Sequence, residues 1–238
     1  MKKYLIAGTI LIAALGLKAQ VQAQETKSSP VTTQSKLQFE EWSDDFTGDK
    51  LDEKKWEKFT FEGGSGGKLE VKDGAVQIRS AGKTRAGIRT KDSFSGDRFA
   101  VEGRLSKVGE AYPEPGSRTS TLGFGTLTVL FDGSGRNRIE WMLTSAGTLE
   151  AWSVVDSRGE RLDNKKLATK MKNPVLLVVR KGDEFSFYLN DAKGAPQDAQ
   201  LALTASVKNL PKSFHVMLYG YGSSENNWDG VRIVVPKK

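Results

Sequence analysis

From Leu69 onward the apolar residues fall at every second position almost everywhere, and this period of two is what most limits how the chain can fold. Leu69 and Val71 alternate with charged residues, Asp73-Gly74 interrupts, and Val76 and Ile78 resume the alternation. An Asp-Gly pair between such runs marks a tight hairpin, because glycine accepts the positive φ of the turn at no steric cost. Similar runs are Phe99 to Leu105, Thr126 to Phe131, Arg138 to Leu143, Leu149 to Val154, Pro174 to Arg180, Phe185 to Leu189, Phe214 to Tyr219 and Val231 to Val235. Turn-forming residues separate them at Asp132 to Gly135, Ser145 to Gly147, Ser157 to Gly159, Lys181 to Asp183 and Asn190 to Gly194. Only Leu51 to Trp56 and Lys165 to Met171 read as briefly helical. Short strands with one apolar face each must pack sheet on sheet, so the expected fold is all-β: a two-sheet antiparallel jelly-roll sandwich.

The first residues carry a different message. Lys2 and Lys3 precede an apolar stretch from Tyr4 to Leu17, and Val21-Gln22-Ala23 supplies the small-residue pattern that signal peptidase cuts after. Residues 1–23 are therefore expected to be a signal peptide, removed near Ala23 to leave a secreted or periplasmic protein. The stretch is shorter than the roughly 20 residues that span a bilayer, and no later stretch comes close, so membrane insertion is not expected. Gln24 stands where a lipoprotein would have cysteine, and the chain has no cysteine at all. Stability must then come from a hydrophobic core rather than disulfides. Residues 24–36 are polar with no aromatic ring and read as a disordered tether, while residues 37–238 form one domain.

Removing Lys2, Lys3 and Lys18 with the signal lowers the +7 of the full chain to +4. Acids and bases are interspersed without a basic stripe, which argues against a nucleic-acid partner. His215 is the single histidine, too few ligands for a His/Cys transition-metal site, and it reads as a hydrogen-bonded strand residue. No Gly-x-Ser-x-Gly elbow is present. Gly63 to Gly67 lacks the Lys-Ser/Thr pair of a phosphate loop and reads as a flexible connection. Asp132-Gly133-Ser134-Gly135 has no Glu at the twelfth position of a calcium loop and reads as a hairpin turn.

Parity then proposes a polar surface. Glu102 and Arg104 lie opposite Phe99, Val101 and Leu105; Arg138 and Glu140 lie opposite Ile139, Trp141 and Leu143; His215 and Tyr219 lie opposite Phe214, Val216 and Leu218. Glu150 and Trp152 share a face. If these strands are neighbours, Glu102, Arg104, Arg138, Glu140, Trp152, His215 and Tyr219 form one groove of acids, arginines and aromatics. Sugars suit such a surface, because pyranose C–H faces stack on rings while hydroxyls need donors and acceptors. An ordinary solvated sheet face is the competing reading.

Several segments also resemble a known group. Asp45-Phe46-x-Gly48-x-x-Leu51-Asp52 with Trp56, then Val71-x-Asp73-Gly74, Ala86-Gly87-Ile88-x-Thr90 and Phe99-x-Val101-x-Gly103-x-Leu105, are similar to the concanavalin A-like lectin and glucanase superfamily. Val179 to Asn190 and Trp228-Asp229-Gly230-Val231-Arg232-Ile233 continue the likeness in the same order, over nearly the whole expected domain. The resemblance implies a sugar cleft on one sheet, and a structural calcium tying the first strand to the last, which here points to Asp45 and Asp229. An Asp before a strand is also a common turn former.

Laminarinase-like members of that superfamily use a Glu-x-Asp-x-(x)-Glu strand, with two carboxyl groups about 5 Å apart serving as nucleophile and acid in retaining enzymes. After Glu140, positions two, four and five on hold Met142, Thr144 and Ser145, so that strand lacks the second carboxylate. The leading expectation is thus a secreted protein that recognises a polysaccharide or glycoconjugate. The alternatives are a glycoside hydrolase with rearranged carboxylates, either laminarinase-like or a keto-glycoside hydrolase, and a protein-interaction sandwich of the laminin-G type.

Overall fold

The computed structural model describes residues 38–61, 67–80, 85–109, 123–168, 171–191, 200–221 and 225–237. The expected signal peptide, the expected tether and most of the Gly63 to Gly67 connection lie outside the described residues. In chain order the strands are β1 (Phe39–Asp44), β2 (Trp56–Phe61), β3 (Gly67–Lys72), β4 (Ala75–Ser80), β5 (Arg85–Thr90), β6 (Phe94–Ser95), β7 (Arg98–Val108) and β8 (Phe124–Leu130). They continue as β9 (Arg138–Thr144), β10 (Thr148–Val155), β11 (Arg158–Lys166), β12 (Pro174–Lys181), β13 (Glu184–Asp191), β14 (Gln200–Ser206), β15 (Ser213–Tyr221) and β16 (Glu225–Pro236).

They form two antiparallel sheets. Sheet A runs β14-β13-β12-β7-β16-β4-β3 with β1 also on β16, and sheet B runs β11-β10-β9-β8-β15-β5-β2 with β6 also on β15. The inward sets of the central strands meet between the sheets: Phe99, Val101 and Leu105 from β7 face Leu127, Val129, Ile139, Trp141, Val216 and Leu218 of sheet B. Each of these large side chains is at most 2% exposed, and burial of that kind contributes about 1.5–3 kcal/mol per side chain. Gly103 occupies an inward position because a Cβ there would sit 2.8 Å from the Trp228 ring.

Polar groups also cross the core. Trp141 Nε1 donates to the Tyr188 carbonyl at 2.9 Å, and Trp56 Nε1 donates to Asp44 Oδ2 at 2.8 Å. Arg180 points inward with its guanidinium 6.0, 5.2 and 5.4 Å from the rings of Phe99, Phe131 and Phe185. It donates to the carbonyls of Gly182, Pro211 and Leu210, so its buried donors are met without a carboxylate contact.

The expected hairpin at Asp73-Gly74 forms, with φ of 54° and 72°. The segment from Leu51 to Trp56 is not a helix: Lys55 and Trp56 both donate to the Asp52 carbonyl, making one turn before β2 begins. Lys165 and Lys166 likewise belong to the end of β11 rather than to a helix. The turn expected at Ser157 to Gly159 sits one residue earlier, at Asp156 and Ser157, whose φ values are 48° and 69°. Both residues take the left-handed conformation without glycine, which frees Arg158 and Gly159 to start β11.

Candidate functional site

The outer face of sheet B gathers most of the expected polar surface. Across neighbouring strands, Trp152 stands opposite Glu140, Glu140 opposite Thr128, and Thr128 opposite Met217. One rung along, Met142, Thr126 and Tyr219 line up, and on the other side Arg138, Leu130 and His215 do. Glu140 is 3% exposed, and its Oε1 accepts from Arg138 Nε at 2.6 Å and from the Tyr219 hydroxyl at 2.9 Å. Burial, reinforced by the Glu140 charge, holds the Tyr219 pKa well above the ordinary tyrosine value, so this hydroxyl remains a donor. His215 Nδ1 lies 2.9 Å from the Thr90 carbonyl, which can only accept, so Nδ1 carries the proton there.

Around this buried centre the rim is aromatic and cationic. Arg161 lies over Trp152 at 5.9 Å, Arg89 over Phe59 at 4.4 Å, and Arg85 over Tyr221 at 5.1 Å. Trp152 Nε1 donates to Glu150 Oε2 at 2.9 Å, and Arg89 Nε donates to Glu57 Oε1 at 2.7 Å. Guanidinium stacking fixes each ring while leaving polar edges that can meet hydroxyls. Arg138, Glu140, Trp152, His215 and Tyr219 thus share one face, as parity requires.

Glu102 and Arg104 do not join them. Both lie on β7, on the outer face of sheet A, where Glu102 accepts from Arg232 Nη2 at 2.9 Å and Arg104 donates to the Asp229 carbonyl at 3.2 Å. Alternation fixes the side of a residue's own sheet and says nothing about which sheet that is. The residues that reading missed, Glu57, Phe59, Arg85, Arg89, Thr126, Thr128, Arg161, Met217 and Tyr221, mostly belong to β2, β5 and β11 or look like ordinary strand formers. The alternation of Arg85, Gly87 and Arg89 with Ala86, Ile88 and Thr90 was the available signal.

At the other expected site, Asp45 is exposed. Its neighbour Asp44 is the structural residue, holding Trp56 Nε1 and the Phe46 amide. Asp229 faces Arg104, with Oδ1 3.6 Å from Nε; burial raises its pKa, while Arg104 pulls the other way. Among the described residues no three His, Cys, Asp or Glu side chains gather closely enough to hold a metal, and no helix is long and apolar enough to cross a membrane.

A cavity of about 910 Å³ opens elsewhere, at one end of the sandwich between Arg79, Lys107, Leu143, Met171 and Glu225. Its described lining contains no aromatic ring, so it lacks the stacking platform that the outer face of sheet B provides.

No family model matches the chain, and no curated protein matches it. Solved structures do. The carbohydrate-binding module CBM66 from Bacillus subtilis superposes with a TM-score of 0.52 at 16% identity, over 73% of this chain and 91% of that one. A Bacillus licheniformis β-glucanase gives 0.59 at 10% identity over 83% and 98%. SCLam, a non-specific endo-β-1,3(4)-glucanase of family GH16, gives 0.59 at 13% over 84% and 92%. The chain has the concanavalin A-like jelly-roll fold that the sequence led us to expect.

Proposed function

We propose that this protein recognises a polysaccharide or glycoconjugate on the outer face of sheet B and does not cleave it. The observation that carries this reading is the set of arginine-stacked rings, Trp152, Phe59 and Tyr221, around the Glu140 centre on one face. The kinds of protein that share the fold, among them a carbohydrate-binding module and glucanases, support a carbohydrate ligand. Glu140 argues against hydrolysis on the familiar pattern: it is buried, already bonded to Arg138 and Tyr219, and followed by Met142 and Thr144 on its own strand. Action outside the cytoplasm, after cleavage near Ala23, is part of the same proposal and rests on the opening residues.

A glycoside hydrolase remains the second reading for one reason. Glu150 lies on the same face, diagonal to Glu140 on the adjacent strand, a placement that puts Cα atoms about 7–8 Å apart. Incubating the mature protein with mixed polysaccharides and assaying reducing ends and unsaturated products decides between the two. The binding reading expects glycan retention without product. Turnover that vanishes in Glu140→Gln while affinity persists establishes an enzyme.

A structural calcium between Asp45 and Asp229 has less support, because the Arg104 guanidinium already faces Asp229.

A further inference from the structure

Thr126 and Thr128 are fully buried on the outer face of sheet B, and neither hydroxyl has a hydrogen-bond partner. A buried hydroxyl without a partner has given up its hydrogen bonds to water for nothing in return, so two side by side at the centre of a sheet face call for a functional cause. Their surroundings supply one. Tyr219 stands opposite Thr126, Glu140 opposite Thr128, and the hydrogen bond joining Tyr219 to Glu140 therefore passes over β8 and roofs both threonines. Met142 and Met217 complete the patch on either side with apolar surface.

Resting on the glycan reading above, we propose that Thr126 and Thr128 are the hydroxyl-reading floor of the site, reached when Tyr219 turns off Glu140, and that the ligand unit they read is a single neutral sugar ring. Two residues apart on a strand, the threonines are about 7 Å from each other, close to the span between substituents on opposite edges of one ring. Hydroxyl groups donate and accept, as sugar hydroxyls do, while the methionines take the C–H face. Glu140 beside them is already paired with Arg138 at 2.6 Å, so the floor itself carries no net charge for a carboxylate or sulfate to meet, which suits a neutral ring.

The experiment compares wild type with Thr126→Val, Thr128→Val and the two Thr→Ser variants, measuring Tm and calorimetric affinity. The probes are neutral β-1,3-gluco-, β-1,4-gluco-, fructo- and xylo-oligosaccharides, together with a polyuronate. If the hydroxyls wait for ligand, each Val variant melts at or above the wild-type temperature yet binds the best neutral probe about five- to tenfold more weakly, and the Ser variants bind like wild type. Val variants that bind as wild type does, or that melt lower, overturn this role while leaving the glycan reading intact. Preference for the polyuronate overturns the neutral class. Wild type that binds no probe overturns the glycan reading itself, and this inference with it.

Discussion

The outer face of sheet A and the outer face of sheet B each hold an acid paired with an arginine in a largely buried setting. On sheet A, Glu102 meets Arg232 beside Ala100, Leu177, Val179 and Val234, apolar residues that are at most 8% exposed. On sheet B, Glu140 meets Arg138 and Tyr219 beside two hydroxyls with no partner and a rim of stacked rings. The first arrangement sets its ion pair amid close apolar packing. The second leaves hydrogen-bonding capacity over and places aromatic surface next to it. An ion pair alone therefore does not single out a candidate site; the Thr126 and Thr128 hydroxyls beside arginine-stacked rings are what set the face of sheet B apart.

The contrast breaks most sharply at Arg232. Its side chain and that of Glu102 are 9% and 16% exposed, so Arg232→Met strands a buried carboxylate and should lower stability by about 3–5 kcal/mol. Urea unfolding measures the loss, and the folded fraction should bind glycan as before. Gly87→Ala comes next. A Cβ at Gly87 would overlap the Leu218 carbonyl oxygen and press on Tyr219, so the change should cost about 1–3 kcal/mol and also alter glycan affinity, linking backbone fit to the site.

Tyr219→Phe removes one hydrogen bond to a buried carboxylate, an expected loss of about 1.5–3 kcal/mol. The pH profile sharpens the point. Because the folded pKa of Tyr219 lies above the unfolded one, its contribution is intact below about pH 10 and is lost as pH rises toward the folded value. Wild type should therefore lose stability in that alkaline range through a component absent from the Phe variant. The smallest effect is expected from calcium. With Arg104 against Asp229, adding calcium or chelator should move Tm little, and a clear rise with calcium would mean that Asp45 and Asp229 close on an ion.

How much of this was legible in the sequence depends on which strands carry it. β7, β8, β9, β13 and β15 carry an alternating face whose period of two announces them, and β12 announces itself instead as a continuous apolar run, Val175 to Val179, buried on both faces. β11 escaped because Arg158–Lys166 is an edge strand that is exposed almost throughout and charged along its length, so burial imposes no alternation on it. β14 escaped because Gln200–Ser206 is another edge, uncharged and largely exposed. The same limits apply to the site. Arg138, Glu140, Trp152, His215 and Tyr219 sit on strands whose parity was readable. Glu102 and Arg104 obeyed the same parity on the other sheet, since strand order across a sandwich comes from long-range pairing that no local pattern encodes. Thr126 and Thr128 were visible as strand residues, but their lack of partners is a property of the packed face alone.

The central claim is that glycan binds sheet B and not sheet A, and one titration addresses it directly. Calorimetry of wild type, Trp152→Ala and Arg104→Ala against the best-binding neutral oligosaccharide compares the two outer faces in a single experiment. The account predicts that Trp152→Ala weakens binding about tenfold or more, through loss of about 1.4 kcal/mol or more of ring contact, while Arg104→Ala leaves it unchanged. Undiminished binding by Trp152→Ala, with loss in Arg104→Ala, would contradict it.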